Sequence, residues 1–191
     1  MNDLLRLQSA LQEEARELLD STPLMSLLKK LGTPVQTGSS VTGLMVYPDI
    51  DFTVQTDTPQ LQDALDLIPL LFKSLTVTGV KVADFSVTDP EGPSYYIGVE
   101  LLFQNKTWHI DATITHPGII ETNPPELAGW IKNMSEDERL TVLELKKELI
   151  NTKRYVGARS QPPYTFRSSH LYEAVLKGGA RTVAEIERYF R

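Results

Sequence analysis

Gly38-Ser39-Ser40-Val41-Thr42-Gly43-Leu44-Met45-Val46-Tyr47-Pro48-Asp49-Ile50-Asp51-Phe52 places a small-residue turn ahead of a strand that carries two carboxylates. Strand side chains alternate, so Asp49 and Asp51 share one face while Ile50 and Phe52 share the other. Two adjacent acids repel each other, and a divalent cation between them removes the conflict. A Gly-Ser turn offers backbone N–H groups to an anion. Metal plus phosphate is the chemistry that this stretch suggests.

A third acid belongs with the pair. In Trp108-His109-Ile110-Asp111-Ala112-Thr113-Ile114, the residues Trp108, Ile110, Ala112 and Ile114 fall on one face of a strand, and His109, Asp111 and Thr113 on the other. If this strand lies beside Asp49–Asp51, three carboxylates converge. Three carboxylates suit a pair of Mg²⁺ ions about 3.5–4 Å apart, the arrangement of in-line displacement at phosphorus. Mn²⁺ is an alternative to Mg²⁺. Gly38, Ser39 and Ser40 are then candidates to hold the nucleotide's phosphates, with glycine at 38 allowing close backbone approach.

Gly38-Ser39, nine intervening residues (Ser40 to Pro48), Asp49-Ile50-Asp51 and a later strand with Asp111 resemble the nucleotidyltransferase superfamily typified by DNA polymerase beta. The resemblance covers about Thr33 to Thr115 and points to a small, bacterial-type member. It implies that Asp49, Asp51 and Asp111 are metal ligands and catalytic, with Asp111 also the base. It implies that Gly38-Ser39 clamps the triphosphate. The activity expected from it is transfer of a nucleoside monophosphate from an NTP to an acceptor hydroxyl, with release of pyrophosphate. A non-catalytic nucleotide-binding or regulatory module on the same fold, such as a toxin–antitoxin partner, is the alternative.

The surrounding sequence supplies the elements. Leu4, Leu5, Leu7, Leu11, Ala15, Leu18 and Leu19 recur at helical spacing over 3–20. A second helix is expected from Leu24 to Leu31. Strands are expected at Pro34–Thr37, Asp49–Gln55, Val80–Thr88, Tyr95–Phe103 and Thr107–Thr115, the last two as an antiparallel hairpin. Thr58-Pro59 reads as the start of a helix, with Thr58 its N-cap. Asp89-Pro90-Glu91-Gly92-Pro93 reads as a turn, and Asn123-Pro124-Pro125 as a break. Ser135 to Glu138 reads as a capping box, Ser168 or Ser169 as the cap of a helix to Lys177, and Thr182 as the start of the last helix. The fold expected is α/β (α+β), a mixed β-sheet nucleotidyltransferase core flanked by helices. Residues 1–120 would form the catalytic core and 121–191 a helical C-terminal extension.

Charge and composition narrow the partners. The 191 residues carry a formal net charge of −6 and no cysteine. An acidic chain argues against binding along a nucleic-acid backbone, so a small molecule or a protein is the expected acceptor. Lack of cysteine excludes disulfides and thiolate metal sites. The first 20 residues lack a signal peptide's apolar segment, and no apolar run reaches membrane length, so a cytoplasmic chain without membrane contact is expected.

Basic residues gather late, at Lys146, Lys147, Lys153, Arg154, Arg159 and Arg167. Lys153 is a candidate for a nucleotide phosphate, while Lys146 and Lys147 read as a solvated helix face. Glu100 and His109 are candidates for the polar face near the acids. Tyr164, Phe166 and Tyr172 are candidates either for stacking on a base or for packing between helices.

Overall fold

The computed structural model describes residues 2–88, 93–118, 125–157 and 160–191. Residues 89–92 of the expected turn at 89–93, residues 123–124 of the expected break at 123–125, Arg159 and the expected boundary at 120/121 lie outside the described residues. The chain divides into two compact units, Ala10–Glu121 and Met1–Ser9 with Thr122–Arg191.

The first unit is built on a five-stranded mixed sheet in the order β1-β2-β5-β4-β3. The strands are β1 (Thr33–Thr37), β2 (Asp49–Gln55), β3 (Val77–Asp84), β4 (Tyr95–Phe103) and β5 (Lys106–Thr115). β2 and β5 run parallel, and the other neighbours are antiparallel. β4 and β5 form the expected hairpin. Its two turn residues, Gln104 and Asn105, both have positive φ (50° and 61°), as a tight two-residue hairpin turn requires.

One face of the sheet is apolar. Ile50, Phe52 and Val54 from β2, with Ile97, Val99 and Leu101 from β4, join Trp108, Ile110, Ala112 and Ile114 from β5 in a single buried cluster. Helices α1 (Asp3–Ser21), α2 (Leu24–Leu28) and α4 (Leu61–Ser74) contribute Leu11, Ala15, Leu18, Leu24, Leu67 and Leu71 to it. Removing this much apolar surface from water is the main favourable contribution to the unit's stability. Alternation leaves the opposite face to Asp49, Asp51, His109, Asp111, Tyr96 and Glu100.

Several expected boundaries move. α2 stops at Leu28 rather than Leu31, and residues 29–31 continue as turn. α4 opens at Leu61 from an extended Gln60, with no side-chain cap. Thr58 is therefore not its N-cap: Pro59 is buried, and the chain stays extended for one more residue. β3 begins at Val77, three residues before the expected Val80, because pairing with β4 reaches back to Val77↔Leu101. It ends at Asp84, and residues 86–88 form a turn closed by Thr88 N–H donating to Phe85 O.

The second unit holds α5 (Pro125–Asn133), α6 (Glu136–Asn151), α7 (Ser168–Leu176) and α8 (Val183–Tyr189), with α7 packed against the other three. α5 was not anticipated from the sequence. Ser135 caps α6 and Thr182 caps α8, each in a reciprocal box with the glutamate three residues on. α7 begins at Ser168, so Ser168 and Ser169 lie inside the helix and its N-cap is Arg167, whose side chain has no oxygen to accept a cap bond; the Ser168 hydroxyl is hydrogen-bonded to Tyr155. Lys146 is 1% exposed, against the solvated face expected for it. It follows Val142 by four residues and precedes Leu149 by three, so it sits in α6's buried stripe, its Nζ 5.4 Å from the centre of the Tyr155 ring. Phe166 and Tyr172 are buried and Tyr164 is open to solvent. Among the described residues, no helix is long and apolar enough to cross a membrane.

Candidate active site

Parallel pairing of β2 with β5 sets Asp51 opposite Asp111 and Asp49 opposite His109. Because paired residues project from the same face, the register alone gathers the acids. One carboxylate oxygen from each of Asp49, Asp51 and Asp111 lies within 4.8 Å of the others. Asp49 is 8% exposed, and Asp51 and Asp111 are partly exposed. Oxygen donors of this kind suit hard divalent cations such as Mg²⁺ and Mn²⁺. Three formal negative charges at this spacing fit such an ion better than they fit one another.

The turn ahead of β2 is shaped around the same acids. Gly38 sits between β1 and α3 (Ser39–Thr42) with φ 71° and ψ −155°, a conformation reserved to glycine. A Cβ there would lie 1.9 Å from Asp51 Oδ2. The backbone of residue 38 therefore passes directly against the carboxylate. α3 follows at once, and the first N–H groups of a helix have no acceptor within it. Ser39 and Ser40 are both buried. The Ser40 hydroxyl donates to Thr37 O at 3.2 Å and accepts from Gln36 Nε2 at 3.0 Å, while Gln12 Nε2 donates to Ser40 O at 2.6 Å. These bonds tie the turn to β1 and α1 and give Ser40's hydroxyl a structural role.

On the other side of Asp111, β3, β4 and β5 line a cavity of about 320 Å³. Its lining includes Gly79, Gly98, Lys81, Tyr96, Glu100 and His109 together with Asp111. Glu100 and His109, both candidates for the polar face near the acids, are here. Tyr96 was not foreseen. Its hydroxyl donates to Asp111 Oδ1 at 2.6 Å. Burial, then that hydrogen bond, then the charges of Asp111, Asp49 and Asp51 push the phenol well above the ordinary tyrosine value. The hydroxyl therefore keeps its proton at neutral pH and donates it in a hydrogen bond. Lys81 Nζ lies 5.9 Å from its ring centre.

Of the expected site residues, the sheet unit brings together Gly38, Ser39, Ser40, Asp49, Asp51 and Asp111. Lys153 belongs to the helical unit, exposed at φ 57° just after α6. Arg154 there is engaged: it pairs with Glu187 at 2.8 Å and donates to the carbonyls of Tyr164 and Pro163.

No family model matches the sequence, and neither does any curated protein. Solved structures do match the fold. A cytoplasmic RNA terminal U-transferase aligns with TM-score 0.55 at 18% identity, over 86% of this chain and 47% of that one. The non-canonical poly(A) polymerase complex GLD-2–GLD-3 aligns with TM-score 0.56 at 12% identity, over 96% and 61%. The Cid1 poly(U) polymerase, bound to MgATP, aligns with TM-score 0.58 at 19% identity, over 87% and 50%. This chain thus spans about half to three-fifths of the proteins it resembles. What it shares with them is the fold, a mixed sheet flanked by helices.

Proposed function

We propose that the chain is a divalent-metal-dependent nucleotidyltransferase. The observation that carries this reading is the convergence of Asp49, Asp51 and Asp111 within 4.8 Å, with Gly38 packed against Asp51. Asp49, Asp51 and Asp111 hold the metal, Mg²⁺ in the first instance. When bound, the cation neutralises phosphate charge and acidifies the attacking hydroxyl. The chain's own groups do the rest. Backbone N–H groups at Gly38, Ser39 and Ser40 hold the terminal phosphates. Asp111 takes the hydroxyl proton as the acceptor oxygen bonds to the α-phosphorus and the bond to the pyrophosphate oxygen breaks. Such catalysis is chiefly positioning and charge placement.

The acceptor bears a hydroxyl. The acidic net charge of −6 supports a small molecule or a protein. An RNA 3′ end belongs in the test as well, because two of the similar structures are an RNA terminal U-transferase and a poly(A) polymerase. Pyrophosphate release is measured with ATP, CTP, GTP and UTP against a panel of sugars, proteins and short RNAs, with Mg²⁺ and with EDTA. Release that needs Mg²⁺ and vanishes in Asp51→Asn is the expected result. An Asp51→Asn variant as active as the parent on a proven substrate overturns the metal assignment. NTP binding without release under every acceptor favours a non-catalytic nucleotide-binding module.

A further inference from the structure

We propose that Tyr96 is the positioning residue of this site, holding the Asp111 carboxylate in place for a cation, and that residue 98 is glycine so that the Tyr96 ring can reach it. The inference rests on reading the three acids as a metal site.

The register makes the contact unusual. Tyr96 pairs with Thr113, and it is Gly98 that lies opposite Asp111. A side chain at 96 reaches Asp111 only by leaning along β4 across residue 98, a spacing of two residues on the same face. The ring does so: a Cβ on Gly98 would lie 2.2 Å from Tyr96 Oη and 2.8 Å from its Cζ. The Gly98 backbone is unremarkable in φ, so glycine is required here for the space above it.

The contact answers a physical problem. An aspartate on a strand has rotameric freedom, and Asp111 adjoins a cavity into which it could turn. Asp49 and Asp51 repel it in that direction. A neutral donor on that side, bound to one oxygen at 2.6 Å, fixes the carboxylate in one rotamer without adding a charge, and leaves its other lone pairs to a cation. Groups that orient metal ligands in this way typically change affinity about 10–100-fold when removed.

The test uses Mn²⁺ alone as the probe. Binding to the full chain is measured by calorimetry and by the Mn²⁺ spin-resonance signal, for the parent, Tyr96→Phe, Gly98→Ala and the double variant, with thermal unfolding to verify folding. Tyr96→Phe is expected to weaken Mn²⁺ about 10–100-fold while the metal-free unfolding midpoint stays near the parent's. Gly98→Ala is expected to reproduce the loss by displacing the ring, and the double variant to bind no more weakly than Gly98→Ala alone. Should Gly98→Ala not fold, Tyr96→Phe decides by itself. Parent-like Mn²⁺ affinity in Tyr96→Phe, or losses that multiply in the double variant, overturns the positioning role and leaves the metal site standing. A parent chain that binds Mn²⁺ no better than Asp51→Asn overturns both.

Discussion

The α-carbon of Gly38 faces Asp51 so closely that a single added methyl group would lie 1.9 Å from the carboxylate oxygen Oδ2. The Gly38 turn and the acid strand are thus fitted to each other at one point. Gly38→Ala is expected to act twice. It forces a side chain into a backbone conformation that costs about 1–3 kcal/mol. It also drives the Asp51 carboxylate out of the triad. A lowered unfolding midpoint combined with loss of Mg²⁺-dependent stabilisation is the expected outcome. A variant that unfolds at a lower temperature but still responds fully to Mg²⁺ would show that Asp51 has room to move.

Crowding three carboxylates within 4.8 Å destabilises the metal-free chain. Asp49 is the most buried of the three, so neutralising it relieves the most. Asp49→Asn is expected to raise the metal-free unfolding midpoint by a few degrees, since about 1 kcal/mol corresponds to roughly 2–4 °C in a chain of this size. The same change removes the upward shift that Mg²⁺ gives the parent. Scanning calorimetry of both proteins, with and without Mg²⁺, measures both effects. An equal Mg²⁺ response in the two proteins counts against the site.

Acid sensitivity is expected at the start of α6. Glu138 accepts from the Ser135 N–H and from its hydroxyl, both at 2.7 Å, and the two bonds hold its carboxyl below the usual value of 4.5. A lowered folded-state value means that the stabilisation is complete above the unfolded-state value. It is lost as pH falls through the lowered one. Glu138→Gln retains an acceptor oxygen but cannot titrate. Urea midpoints at about pH 7 and about pH 3 are expected to fall further in the parent than in Glu138→Gln. Identical falls would remove Glu138 from the acid response.

Much of the sheet could be read from alternation. β2 and β4 begin and end where the pattern of Asp49–Gln55 and Tyr95–Phe103 places them. The apolar face of Trp108, Ile110, Ala112 and Ile114 is buried as its spacing implies. The acids could be recognised because strand alternation and the Gly-Ser spacing are local properties. Tyr96 could not, because its reach to Asp111 depends on a cross-strand register offset by two residues. The available signal was Tyr-x-Gly on one strand face, an aromatic with an empty neighbour. Thr58 misled for a different reason: cap-forming residues are also loop-forming residues, and burial of Pro59 decided between them. Lys146 misled because a lone charge in an apolar stripe resembles a surface position until the helix is packed.

The parallel pairing of β2 with β5 also has a consequence for biosynthesis. Asp51 and Asp111 are register partners, yet α4, β3 and β4 are all made between them. Long-range pairings of this kind close late, after the loop entropy of the intervening chain has been overcome. A nascent chain that has emerged as far as β4 has Gly38, Asp49 and Asp51 but no partner strand to bring in the third acid. The acid triad and the completed sheet therefore arrive in the same event, and a chain without β5 cannot assemble the three carboxylates.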